Sequence, residues 1–79
     1  MGTVEIMMEG ADPRAYMRIA RSIRQRITEG RLRPGMPTPS IRTLTEEYGV
    51  ARQTAAKALR LLESEGMVYR VPGLGYYVR

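Results

Sequence analysis

The sequence has no cysteine and no histidine. The first absence excludes a disulfide framework, and the two together remove the usual ligands of a zinc site. Without histidine, no serine has the common base that would make it a nucleophile. No paired acid and base and no metal-ligating cluster stands out, so neither an enzyme nor a cofactor is expected. The adjacent Glu46 and Glu47 read as a solvated helix face. No apolar run approaches the roughly 20 residues needed to cross a bilayer. The opening stretch, MGTVEIMMEGAD, has no basic residue and carries Glu5, Glu9 and Asp12, so it is not expected to be a secretory signal peptide. The lack of cysteine is compatible with the cytoplasm, the expected location.

A chain of 79 residues is expected to bury only about 60% of its unfolded surface. Its fold must therefore rest on one small apolar core. Charge is more informative. Thirteen basic residues stand against eight acidic ones, a net of +5. Three of the acids fall in the first twelve residues, which leaves thirteen bases against five acids, +8, in the rest. Twelve of the bases are arginine, whose planar fork suits phosphate and guanine. A basic domain with a pI near 10.2 has the footprint of a nucleic-acid binder. A basic surface kept for solubility would read the same way on charge alone.

The stretch Pro39 to Gly66, PSIRTLTEEYGVARQTAAKALRLLESEG, organises the chain. Apolar residues recur at helical spacing at Ile41, Leu44 and Tyr48, and again at Ala55, Ala58, Leu59 and Leu62. Between the two series, Gly49 is suited to the left-handed backbone that ends a helix, and Val50 can fill the angle between helices. Ser40 follows two prolines as the natural N-cap of the first of these helices. This is a helix-turn-helix pattern. The second helix, about 52–65, carries Arg52, Gln53, Thr54, Lys57 and Arg60 away from its apolar stripe. Such side chains suit phosphates and base edges. A packing methyl is the plain alternative for Thr54, and a solvated charge for Arg60. Arg42 projects opposite Ile41 and Leu44, near the start of the preceding helix.

Residues 1–11 read as a loose arm, in which Val4, Ile6 and Met8 alternate. The domain is expected over 12–79. Asp12-Pro13 supplies an N-cap and a proline at the first helical position. The helix that follows runs to about Glu29, with Tyr16, Ile19, Ala20, Ile23 and Ile27 as its apolar stripe. Arg31-Leu32-Arg33 reads as a short edge strand before the Pro34-Gly35 turn. Beyond Gly66 the period shortens to two. Residues 67–71 and 76–78 are strands, and Pro72-Gly73-Leu74-Gly75 is the turn between them. Alternation sends one of Tyr76 and Tyr77 to the core and the other to solvent. Glu63 and Glu65, the acidic C-terminal part of the third helix, are expected to face water. The predicted fold is α+β, mainly α: a winged helix-turn-helix of three helices with a C-terminal β-hairpin wing.

From Tyr16 to Val78 the chain resembles the DNA-binding domain of GntR-family transcriptional regulators. The resemblance rests on Ile27-Thr28-Glu29-Gly30-Arg31-Leu32-Arg33-Pro34-Gly35, on Pro39-Ser40-Ile41-Arg42-Thr43-Leu44 and on Tyr48-Gly49-Val50-Ala51-Arg52-Gln53-Thr54. It continues in the wing, Gly73-Leu74-Gly75-Tyr76-Tyr77-Val78, whose spacing is similar to the HutC-like branch. The resemblance implies an operator-reading domain of a regulator, by family habit a repressor, bound to palindromic double-stranded DNA as a homodimer. It implies DNA contacts at Arg42, Arg52, Gln53, Thr54 and Gly73, to which Ser40 and Lys57 are added as candidates. It also implies a small-molecule effector held by a C-terminal domain beyond this stretch, so that the chain is expected to be a fragment. Ala51 and Ala56 stand where the family usually has a hydroxyl residue and often has arginine. The recognition helix is therefore expected to be weakly capped.

Two other classes of function would leave different marks. A winged helix used as a protein–protein module would expose an apolar patch on the third helix, where Arg52, Gln53 and Lys57 stand instead. Binding of single-stranded RNA would favour aromatic and basic residues interleaved in the wing, which it lacks.

Overall fold

The computed structural model describes residues 13–79. The expected N-terminal arm, its alternating Val4, Ile6 and Met8, and the Asp12 cap lie outside the described residues. Three helices are followed by a hairpin: α1 (Pro13–Thr28), α2 (Ile41–Tyr48), α3 (Arg52–Ser64), β1 (Val68–Val71) and β2 (Gly75–Val78). This is the mainly helical, winged arrangement that the pattern predicts.

The core follows from the apolar spacing. Ile19, Ala20 and Ile23 of α1 are fully buried against Ala55, Ala58, Leu59 and Leu62 of α3. Leu44 closes the cluster from α2, and Val68 from β1. Tyr16 and Ile27, the outer members of the predicted α1 stripe, are half-buried around it. The small side chains of Ala55 and Ala58 let α3 approach its neighbours closely. Each fully buried leucine or isoleucine contributes about 1.5–3 kcal/mol by leaving water. With so few of them, each one matters.

The expected edge strand at Arg31-Leu32-Arg33 is not formed; these residues bend after α1, with Arg31 N–H and Leu32 N–H both donating to the Arg26 carbonyl at 2.9 and 3.1 Å. The pairing comes later in the chain. Pro37 bridges Tyr77 in antiparallel sense. Val78 N–H donates to the Met36 carbonyl at 2.8 Å, and Thr38 N–H to the Tyr76 carbonyl at 2.9 Å. Both bonds belong to the residues flanking Pro37, so the N–H that proline lacks is not needed there.

The hairpin register pairs Val68 with Val78, Tyr69 with Tyr77, Arg70 with Tyr76 and Val71 with Gly75. Val68 and Val78 are buried. Neither Tyr76 nor Tyr77 is solvated as the alternation suggested: both are half-buried. Tyr76 packs on the core, whereas Tyr77 stacks on Tyr69, with ring centroids 6.1 Å apart and planes inclined by 28°. At the end of α3, Glu63 and Glu65 are exposed as expected, and Glu65 also has a partner. Its carboxylate accepts from Arg24 Nε at 3.1 Å and from Nη2 at 2.9 Å, which clamps α1 to the C-terminus of α3.

Candidate nucleic-acid interface

The helix-turn-helix is held by its caps. Ser40 sits in extended backbone, φ −73° and ψ 163°, and its Oγ accepts from Thr43 N–H at 3.0 Å. That satisfies one of the orphan donors of α2. At the other end Gly49 takes φ 66° and ψ 37°, and its N–H donates to the Thr45 carbonyl at 2.9 Å. A residue with a Cβ is strained at such angles, which is why glycine closes α2 and turns the chain. Val50, half-buried, packs on the core below the turn. Ala51 then opens α3 with no side-chain cap, as the sequence led one to expect.

At about 100° per residue, α3 presents an outward arc. It carries Arg52, Gln53, Lys57 and Arg60, all exposed, with half-buried Ala56 between them. Thr54, expected to share this arc, falls instead on the packing side, two steps of about 100° round from Arg52, and is only 8% exposed. Lys57 lies at the edge of the arc nearest α1. Its Nζ sits 4.3 Å from the centre of the Tyr16 ring, a cation–π contact that fixes where this charge stands. Arg52 lies at the opposite edge, nearest the wing.

Between α2, the start of α3 and the wing runs a groove of about 540 Å³. Ser40, Arg42, Arg52 and Gly73 all line it. Four of the seven candidates thus meet in one place, whereas Gln53, Thr54 and Lys57 lie outside the groove lining. Arg42 is 85% exposed along its side chain, and its Nε reaches Glu46 Oε2 at a long 3.4 Å. A pair that open to water holds the guanidinium weakly. Among the described residues Arg52 makes no ion pair and no acid lines the groove. At the wing tip Gly73 and Gly75 have φ 81° and 117°, and nothing lies within 4 Å of where a Cβ would stand. Leu74 between them is 71% exposed.

A third arginine lines the groove that the sequence reading passed over: Arg70 of β1. The signal was available. Arg70 is in phase with Val68 and opposite Tyr76, so it shares the inward face of the hairpin. Val68 meets the core there; Arg70, two residues further along, has passed its edge and meets the groove instead.

Among the described residues no group of acids could hold a metal ion, and no helix is long and apolar enough to cross a membrane. The sequence model for bacterial regulatory proteins of the gntR family matches residues 15–78. This chain belongs to the GntR family. It is 40% identical over 63 residues to the HTH-type transcriptional repressor NagR of Bacillus subtilis (strain 168), a match covering 80% of this chain and 26% of that protein. It is 39% identical over 64 residues to MngR, the mannosyl-D-glycerate transport/metabolism system repressor of Escherichia coli (strain K12), over 81% of this chain and 27% of that one. The crystal structure of AraR(DBD) in complex with operator ORX1 is similar in fold, with TM-score 0.79 and 32% identity over 82% of this chain and 78% of that chain. The GntR-family chain therefore spans about a quarter of the length of these repressors. Its relatives are regulators rather than enzymes, in keeping with the missing catalytic constellation.

Proposed function

We propose that this GntR-family domain reads a palindromic operator in double-stranded DNA for a transcriptional repressor of the cytoplasm. The observation that carries the reading is the joint exposure of Arg42 and Arg52 on one groove between the helix-turn-helix and the wing, with no acid in its lining among the described residues. The names of the relatives, which include two repressors, and the operator complex of a structure of like fold support it.

In this reading α3 enters the major groove with its first turn leading. Arg52 makes a bidentate contact to a guanine, the commonest specific contact of its kind. Gln53 reads the neighbouring base edge. Arg42 grips phosphate, and Lys57, steadied by Tyr16, takes a phosphate on the other flank of α3. Ser40 holds the first turn of α2 in place beside the backbone, and Thr54, on the packing side, backs the first turn of α3. Gly73 at the wing tip (72–75) comes close to the adjacent minor groove or backbone, because no side chain intervenes. Two such domains bind the two halves of the palindrome as a homodimer, and the effector acts through a C-terminal domain of the whole protein.

The test is amide chemical-shift mapping against a pool of short palindromic duplexes. Residues 40–57 and 72–75 should shift together on one titration curve. Shifts confined to α1, or scattered over both sides of the molecule, would overturn the proposal.

A further inference from the structure

We infer that the groove between α2 and the wing seats the phosphodiester strand dividing the two DNA grooves, with Arg70 as its ligand from the wing side. The inference rests on the DNA-reading function proposed above and adds a place and a residue to it.

The argument is geometric. If α3 occupies a major groove and the wing tip approaches the adjacent minor groove, one sugar–phosphate strand must run between them. On the protein, what lies between them is the groove of about 540 Å³. Its two walls come from different elements. Ser40, Arg42 and Arg52 form the helical wall, and Arg70, Gly73 and Tyr76 form part of the wing wall. An arginine therefore stands on each side of the space, and both walls are cationic, with no carboxylate in the lining among the described residues. Three arginines gathered on one groove repel, and the one ion pair that any of them makes among the described residues is the long, exposed one from Arg42 to Glu46 at 3.4 Å. A polyanion relieves the repulsion and releases its counterions.

Arg70 is suited to the task by its backbone. It belongs to a paired strand, opposite Tyr76 in the register, so its Cα is fixed relative to the helices. Its side chain is exposed and makes no ion pair among the described residues. The outward face of the hairpin is occupied differently, by Tyr69 stacked on Tyr77 and by Arg79, whose guanidinium lies 5.9 Å from the Tyr69 ring centre. Arg79 is thus committed to the outer face, and Arg70 is the cation that the wing turns toward the groove.

The experiment measures affinity for a fluorescent mixed-sequence duplex at several salt concentrations between about 50 and 200 mM. Each phosphate neutralised adds about 0.9 to the slope of log K against log salt, so over this range each contact is lost about 3.5-fold. Arg70→Ala should lower the slope by about one contact, and Arg70→Lys should restore it. Arg31→Ala, the same loss of charge outside the groove, should leave the slope at the parent value. Arg70→Gln, which keeps the length of the side chain, carries the same expectation as the alanine variant, and thermal unfolding of each variant checks the fold. The inference is overturned if the Arg70→Ala and Arg70→Gln slopes equal the parent's, or if Arg31→Ala lowers the slope as much. A flat salt response in the parent itself would instead overturn the DNA-reading function on which the inference rests.

Discussion

Replacing Ala51 by serine should stabilise this domain, and the size of the gain can be worked from its own second helix. The two N-cap positions have nearly the same backbone. Ser40 has φ −73° and ψ 163°, and Ala51 has φ −68° and ψ 155°. The differences are 5° and 8°, so a serine at Ala51 brings its hydroxyl to the third N–H of its helix, that of Thr54, as Ser40 reaches Thr43 N–H at 3.0 Å. Thr54 N–H now makes a tight-turn bond to the Ala51 carbonyl at 3.0 Å. Ala51 is exposed, which leaves room for the hydroxyl. Substitution of a capping residue by alanine costs about 0.5–2 kcal/mol, typically about 1. The reverse change should recover about that much. In a domain of this size 1 kcal/mol moves Tm by roughly 4–8 °C. Thermal unfolding followed by circular dichroism should therefore show Ala51→Ser melting several degrees above the parent. An unchanged or lower Tm would refute the claim that α3 begins without a side-chain cap in backbone already suited to one.

The remaining stability predictions contrast core with surface. Leu62→Ala, at a fully buried position between α3 and α1, should cost about 2–5 kcal/mol, enough to leave the domain largely unfolded near body temperature; chemical denaturation reads the loss directly. Glu65→Ala removes the clamp on Arg24, but both side chains are about a third exposed, so the cost should be only about 0.2–1 kcal/mol. A larger loss at Glu65 than at Leu62 would contradict the assignment of the core.

What the sequence made legible was mostly local. Ser40, Gly49 and the proline at 39 mark the ends of α2 because capping and left-handed backbone depend on the residue itself. The stripe Ile19, Ala20 and Ile23 and the series Ala55, Ala58, Leu59 and Leu62 announce which faces are buried, since helical spacing alone aligns them. The misses depend on what lies across space. Arg31-Leu32-Arg33 has the look of a strand, yet the partner of β2 is decided by which segment reaches its edge, and that segment is Pro37 with its neighbours. Tyr77 was expected to alternate with Tyr76 between solvent and core, but a cross-strand Tyr69 covers it. Lys57 was read as one more outward cation; its tie to Tyr16 joins two helices and is invisible along either one. Arg70 was recoverable from alternation with Val68, but only by knowing that the hairpin outruns the core.

The account stands most directly on one comparison: titration of a duplex, selected from a palindromic pool, with the parent domain and with Arg52→Ala. A lost bidentate guanine contact costs about 1–3 kcal/mol, or roughly 5- to 150-fold in affinity, and Arg52 is exposed and outside the core. The predicted result is a fall of that size with an unchanged melting temperature. Equal affinity of the two proteins for the selected duplex would contradict it.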